Sequence, residues 1–267
     1  MNNDFVNKVV LVTGGSRGLG LAIAEAFAAS GARIVLAARD EQALAKAVDM
    51  LKTKGGDILA VPTDVTVPEQ VKSMVAKTVE RFGQLDVLVN AAGKSSRGRA
   101  AKTEVDSFRD ALELNFLAVV SCIQTALPHL TRQHGTIVNV ASLAAKVAPS
   151  FMGNYPASKF PLVAYSQQLR LELDEVHTLL VCPGPVKRDD AGKRYDISDM
   201  DLPESANRPG AGARITAIDP HWLAAKIVKA CKKKQIELIV PVRARLLFAL
   251  GQLWPGFGDW LLRRSMR

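Results

Sequence analysis

The sequence predicts an α/β fold: a single doubly wound parallel sheet of about seven strands with helices on both faces. Two observations predict it. Short β-branched runs alternate with longer segments of helical apolar spacing, the pattern of successive β-α-β units. The 267-residue length suits one domain that buries about three quarters of its unfolded surface. No low-complexity linker and no internal repeat divides the chain.

Strands are expected at 8–13, 33–38, 58–62, 86–89, 135–140, 178–182 and 236–240. The first, K-V-V-L-V-T, reads as a buried parallel strand, and L-A-I-A-E-A-F-A-A beyond it has helical apolar spacing. Asp40, after the second strand, is placed to cap the helix that begins E-Q-A-L-A-K. After the fourth strand the apolar stretch E-L-N-F-L-A-V-V reads as helix around Asn115, a polar residue that requires a partner there. A further helix starts near Asn154, with Pro156 in its first turn, where proline is tolerated. Pro161 lies deeper in that helix and predicts a kink, at a cost of about 3 kcal/mol in an unadapted site. Right-handed crossovers would wind these strands into a Rossmann-type sheet, with a ligand at their carboxyl ends.

Two motifs carry chemistry. The first is G-G-S-R-G-L-G, between the first strand and the first helix: Gly14, Gly18 and Gly20 make a tight turn, with Ser16, Arg17 and Leu19 between them. Backbone N–H groups at the following helix start would face a pyrophosphate. Its G-x-x-x-G-x-G spacing is wider at the front than G-x-G-x-x-G. The second is Y-P-A-S-K, with Tyr155 and Lys159 one helical turn apart and Ser142 thirteen residues upstream. A free phenol ionises near pH ~10, so a neighbouring ammonium is needed before it can exchange protons. A serine hydroxyl adds a hydrogen bond to a substrate oxygen. Proton transfer at an oxygen of this kind accompanies hydride transfer at a carbonyl.

Thr13 with the wide glycine loop, the run Asn90-Ala91-Ala92-Gly93, Asn115, Ser142, Tyr155 with Lys159, and Pro183-Gly184 together resemble one family, the short-chain dehydrogenases/reductases. The resemblance extends to about residue 240. It implies that Tyr155 is the general acid or base, that Lys159 lowers its pKa and binds the nicotinamide ribose, and that Ser142 polarises the substrate oxygen. Asn115 would hold a water linking Lys159 to solvent. Asp64 and Val65 resemble the adenine contact; Asn90, Ala91 and Gly93 let the backbone approach the cofactor; Pro183, Gly184 and Val186 close on the nicotinamide side. Arg188 stands where the family often has a threonine against the carboxamide, so that contact is not carried over. The polar stretch 183–219 is expected to be a lid with a short helix, and the catalytic domain to span 1–242.

Ala38 occupies the place of the acidic residue that holds ribose hydroxyls in NAD sites, and Arg39 follows it. With Arg17 it offers two guanidinium groups to a 2′-phosphate, so NADP(H) is preferred over NAD(H). In the alternative, both arginines are solvated and Asp40 binds the ribose.

The formal net charge is +9, concentrated at the end of the chain: from Lys226 to Arg267 ten Lys or Arg face only Glu237 and Asp259. This segment is apolar as well as basic and lacks a recognised nucleic-acid module, so nucleic acid is not expected as a partner. The extension 243–267, divided by Pro255 and Gly256 into two short helices, seeks an apolar surface: its own domain, a second subunit or a membrane interface. Cys122, Cys182 and Cys231 show neither paired nor ligand spacing, so no disulfide and no metal site are expected. No signal-peptide pattern opens the chain and no apolar run approaches ~18 residues, so the protein is expected in the cytoplasm, with peripheral contact to a membrane surface left open. The resulting expectation is an NADP(H)-dependent oxidoreductase acting on a lipophilic carbonyl or secondary alcohol, as a homodimer or homotetramer. The alternatives are a 3-oxoacyl-acyl-carrier-protein reductase and, in another class, a non-catalytic NADP(H) sensor or scaffold.

Overall fold

The computed structural model describes residues 4–53, 55–188, 196–197, 201–207, 210 and 216–265. Seven strands form one parallel sheet: β1 (Val9–Thr13), β2 (Arg33–Ala38), β3 (Ile58–Pro62), β4 (Val87–Asn90), β6 (Thr136–Val140), β7 (His177–Pro183) and β9 (Glu237–Val240). Their order is β3-β2-β1-β4-β6-β7-β9. Each lies within one residue of a predicted strand. Two short strands not foreseen in the sequence, β5 (Ser96–Arg97) and β8 (Asp196–Ile197), pair with each other apart from the main sheet.

The sheet is covered on both faces because its strands are apolar on both. In β1, Val9 and Leu11 enter one core while Val10 and Val12 enter the other. Helices α1 (Gly18–Ala28), α2 (Glu41–Lys52) and α7 (Pro220–Lys232) cover the second face through Ile23, Phe27, Leu44, Leu51, Leu223 and Ile227. Helices α3 (Pro68–Phe82), α5 (Ala118–Arg132) and α6 (Tyr155–Glu172) cover the first through Met74, Cys122, Ile123, Leu130, Leu162 and Leu169. The winding reverses between β1, which pairs with β2 on one side, and β4 on its other side. Such a reversal opens a crevice at the carboxyl ends of the strands, where ligands bind in folds of this type.

One sequence expectation is corrected. Helix α4 (Val105–Leu112) passes through a π-helical turn, Glu113–Leu117, directly into α5. The combined 28-residue helix has an 18-residue window of mean hydropathy 1.4, long and apolar enough by that measure to cross a membrane. Charged residues such as Asp110 and Glu113 interrupt the apolar run and hid it from a reading of consecutive residues. It packs on the sheet, burying Ala118, Val119, Cys122, Ile123, Ala126 and Leu130, so the segment is a core helix of this fold. Pro161 sits inside α6, as expected, and does not end it. The carbonyl it leaves without a helical donor belongs to Ala157, an exposed residue whose carbonyl can turn to water.

At the end of the chain α8 (Ala244–Leu253) and α9 (Pro255–Ser265) form a helical hairpin broken at Trp254. The two helices approach where both carry glycine: a Cβ on Gly258 would lie 2.6 Å from the Gly251 Cα. Ala244 and Phe248 are buried in the core, whereas Leu246, Leu253, Trp254, Phe257 and Trp260 are exposed.

Of the expected lid, the described part includes a 3-10 turn, Glu204–Asn207, and a bridge between Val186 and Ile218. Residues 189–195, 198–200, 208–209 and 211–215 of that stretch lie outside the described residues.

Candidate active site

The carboxyl ends of the strands open into a cavity of about 1670 Å³, larger than the ~300–1,000 Å³ of a typical single-ligand pocket and roomy enough for a dinucleotide beside a substrate. At one end lies the glycine loop. Gly14 and Gly18 have φ of +67° and +57°, in the left-handed region that other residues avoid. Gly20 is needed for space, since a Cβ there would lie 2.2 Å from the Gly14 carbonyl oxygen. At Gly18 a Cβ would meet nothing within 4 Å, so the backbone there is open for a ligand's close approach. No side chain caps α1, leaving its first N–H groups available to an anion. These features fit the pyrophosphate of a dinucleotide, held by the backbone of Gly14 to Gly20.

Ser16, Arg17 and Leu19 of the loop line the cavity, as do Arg39, Asp64, Val65, Ala91, Gly93, Pro183, Gly184 and Val186. The Arg39 guanidinium stands 3.8 Å from the Asp64 carboxylate. Partial burial alone would raise the Asp64 carboxyl. Hydrogen bonds from the Thr66 hydroxyl and amide, with Arg39 alongside, outweigh it and hold the group below the usual carboxylate range. Asp40 accepts a hydrogen bond from the Ala43 amide at 3.0 Å and is the N-cap of α2.

Asn90 and Asn115 are placed differently. Asn90 is buried and outside the cavity lining; its amide donates to Asn139 Oδ1 at 2.9 Å, Asn139 donates to Ser166 Oγ, and Ser166 donates to the Leu162 carbonyl. This relay ties β4 and β6 to α6. Asn115 projects from the π-helical turn and clamps the backbone after β4: its Oδ1 accepts from the Lys94 amide, and its Nδ2 donates to the Lys94 carbonyl and to Ser158 Oγ. Thr13 is a second clamp, its hydroxyl accepting from the Ala91 and Ala92 amides.

The remaining three residues converge on the cavity. Ser142 follows β6 and caps a short 3-10 turn, its hydroxyl accepting from the Ala144 amide at 3.1 Å. Tyr155 opens α6 and Lys159 sits one turn on, 4 % exposed, its Nζ donating to the Val140 carbonyl at 3.1 Å. Burial, slightly opposed by neighbouring Cys182, brings the Lys159 ammonium down to about 8. A lysine so easily neutralised can exchange a proton near neutral pH.

Part of the lining was not legible in the sequence. Leu143, Val147, Met152, Leu247, Phe248 and Leu262 add apolar surface to the cavity, and Arg97 lines it from β5. The tail thus contributes three of these residues; only tertiary packing brings them here.

A nucleotide cradle joined to a Ser-Tyr-Lys set on a Rossmann-type sheet defines an oxidoreductase that uses a dinucleotide. The family model described as short chain dehydrogenase matches residues 8–196, and the chain belongs to that family. It is 33% identical over 265 residues to "Ketoacyl reductase HetN" of Nostoc sp., covering 96% of this chain and 88% of that one. Among solved structures it resembles a short-chain dehydrogenase/reductase from Burkholderia phymatum in complex with NAD, with a TM-score of 0.82 and 26% identity over 93% of this chain and 94% of that one. It also resembles a single-substitution variant of the actinorhodin polyketide ketoreductase with NADPH, at a TM-score of 0.76 and 29% identity over 89% of this chain and 96% of that one.

Proposed function

We propose that this oxidoreductase interconverts a lipophilic ketone and its secondary alcohol with NADP(H). The observation that carries this reading is one cavity lined together by the glycine loop, by Ser142, Tyr155 and Lys159, and by apolar side chains such as Leu143, Met152, Leu247 and Phe248. When bound, the nicotinamide cofactor supplies the hydride chemistry. The chain supplies the rest. Tyr155 gives a proton to the substrate oxygen in reduction and takes it in oxidation; Ser142 donates a hydrogen bond to the same oxygen. Lys159 provides positive charge one turn from the phenol, and Asn115 holds the Lys94 backbone and Ser158 beside it. Arg17 and Arg39 favour a 2′-phosphate, a reading supported by the use of Asp40 as a helix cap.

Turnover of NADPH against aliphatic, aromatic, steroidal and 3-oxoacyl ketones tests this. Tyr155→Phe should lower kcat by about 10²–10⁴ while retaining cofactor binding. A variant that kept most of its activity would refute the assignment. A second substrate, a 3-oxoacyl group on an acidic carrier protein, is favoured by the similarity to proteins named ketoacyl and polyketide ketoreductase and by the basic net charge of this chain. Activity restricted to carrier-bound ketones would select it.

We further propose a cytoplasmic homodimer or homotetramer that rests on an anionic membrane through α8 and α9. Exposed Leu117, Phe160 and Leu171 on the long helices support self-association, and light scattering measures it. For the membrane, the exposed Trp254, Phe257 and Trp260 lie among the exposed Arg243, Arg245, Arg263 and Arg264, with Asp259 the one acidic residue of the hairpin. Vesicles containing phosphatidylserine should float the protein at low salt, and neutral phosphatidylcholine vesicles should not. Absence of flotation with both would remove this contact.

A further inference from the structure

We infer that Arg97 is a positioning residue of the substrate pocket, fixing the turn Glu204–Asn207 against the cavity wall and steadying the loop that precedes Tyr155. Arg97 is 1% exposed, yet it lines the reaction cavity. Burying a guanidinium carries a large desolvation cost unless fixed acceptors meet its donors. Here they come from two distant parts of the chain. Nε donates to the Ala206 carbonyl at 2.8 Å, across 109 residues of sequence, while Nη1 donates to the Ser96 carbonyl at 2.8 Å and to Ser95 Oγ at 3.2 Å. An apolar side chain could fill the same volume but would leave the buried carbonyls without a donor.

The strand bearing Arg97 is joined on its other side to the catalytic helix. Gly98 donates to the Phe151 carbonyl at 3.1 Å and accepts from the Gly153 amide at 2.9 Å. The Ser96 hydroxyl bonds the Met152 carbonyl and the Asn154 side chain. Asn154 is the residue before Tyr155, and the Tyr155 amide itself donates to the Met152 carbonyl at 3.1 Å. β5 also pairs with β8. The same four residues, 95–98, therefore hold both the turn at 204–207 and the loop at 151–154, with Arg97 as the buried fixed point. Its planar fork suits two acceptors set at fixed angles better than a lysine would.

Arg97→Met and Arg97→Lys test this, the second keeping the charge and stem but not the fork. The substrate measurement rests on the ketone reading above: KM for the ketone should rise about ten- to hundredfold in Arg97→Met and less in Arg97→Lys, with the dissociation constant for NADPH little changed. Hydrogen exchange needs no substrate and stands apart from that reading. The Ala206, Gly98 and Gly153 amides should lose protection in the variants, while β1, β4 and β6 keep theirs. Unchanged exchange at these three amides, or faster exchange with an unchanged KM, would overturn the proposal. If Arg97→Met no longer binds NADPH, Arg97→Lys decides by the same readings, and loss of NADPH binding in both would make Arg97 a residue of the fold and overturn it as well.

Discussion

Gly93 separates Asn115 from Lys159: a Cβ built on it would lie 2.7 Å from Asn115 Oδ1 and 3.3 Å from Lys159 Nζ. Only a residue without a side chain lets the clamp from the π-helical turn and the buried lysine share this space. Neither neighbour can withdraw easily. Asn115 is held by Lys94 and Ser158, and Lys159 by the Val140 carbonyl. Gly93→Ala should therefore cost about 1–3 kcal/mol of stability through overpacking and lower kcat by at least about tenfold. Thermal unfolding together with steady-state kinetics measures both, and a variant equal to the native enzyme in each would contradict this packing.

The buried Lys159 gives a defined pH dependence. Its ammonium is brought down from 10.5 to about 8, so between those values the folded chain has released a proton that the unfolded chain keeps. Stability therefore rises with pH above about 8, and the burial cost is fully present below it. The three buried thiols act oppositely from about pH 9, because the folded chain retains protons that unfolded cysteines lose. Already around pH 8 to 8.5 the two contributions oppose each other, so the lysine's is read as a difference between two proteins. In denaturant unfolding of the cofactor-free protein the slope of stability against pH should be more positive in the native chain than in Lys159→Met, and equal slopes would contradict the lowered ammonium.

The seven strands were legible because buried parallel strands present consecutive β-branched residues, and chain ends of such runs at Gly, Asn or Asp mark where the cavity lies. The glycine loop and the Tyr155-Lys159 pair were legible because their chemistry depends on local spacing. What depended on tertiary contact was hidden. Arg97 stands in K-S-S-R-G-R, which reads as a solvated loop, and Leu247 and Phe248 belong to a tail whose sequence does not state which surface it covers. Asn115 was read as a polar residue needing a partner, but that its partner is the Lys94 backbone follows only from the approach of the π-helical turn to the segment after β4.

The proposed preference for NADP(H) assigns separable roles to two adjacent residues. Asp40→Ala removes the cap on α2 and should cost about 1 kcal/mol of stability, leaving the ratio of kcat/KM for NADPH over NADH unchanged. Arg39→Ala touches no cap. It should lower that ratio by about tenfold or more, the scale of a lost charge-assisted hydrogen bond. If instead Asp40→Ala raised the ratio by impairing NADH, the carboxylate would be a ribose ligand and the preference for NADP(H) would fall.

Cys122, Cys182 and Cys231 are each buried, and burial pushes all three thiols up to about 12. Attack on a disulfide reagent requires both access and a thiolate, and the folded protein withholds both. At pH ~8 an aromatic disulfide reagent should therefore label none of them in the native state and all three in denaturant. Because labelling must wait for an opening of the fold, adding NADPH should slow it further in partial denaturant, through preferential binding to the folded chain. Cys182 lies in β7 beside Lys159 and Cys231 in α7, so their relative rates would distinguish local opening at the site from release of the helix that packs on α1. Labelling of any of the three at the rate of a free thiol under native conditions would contradict the burial described.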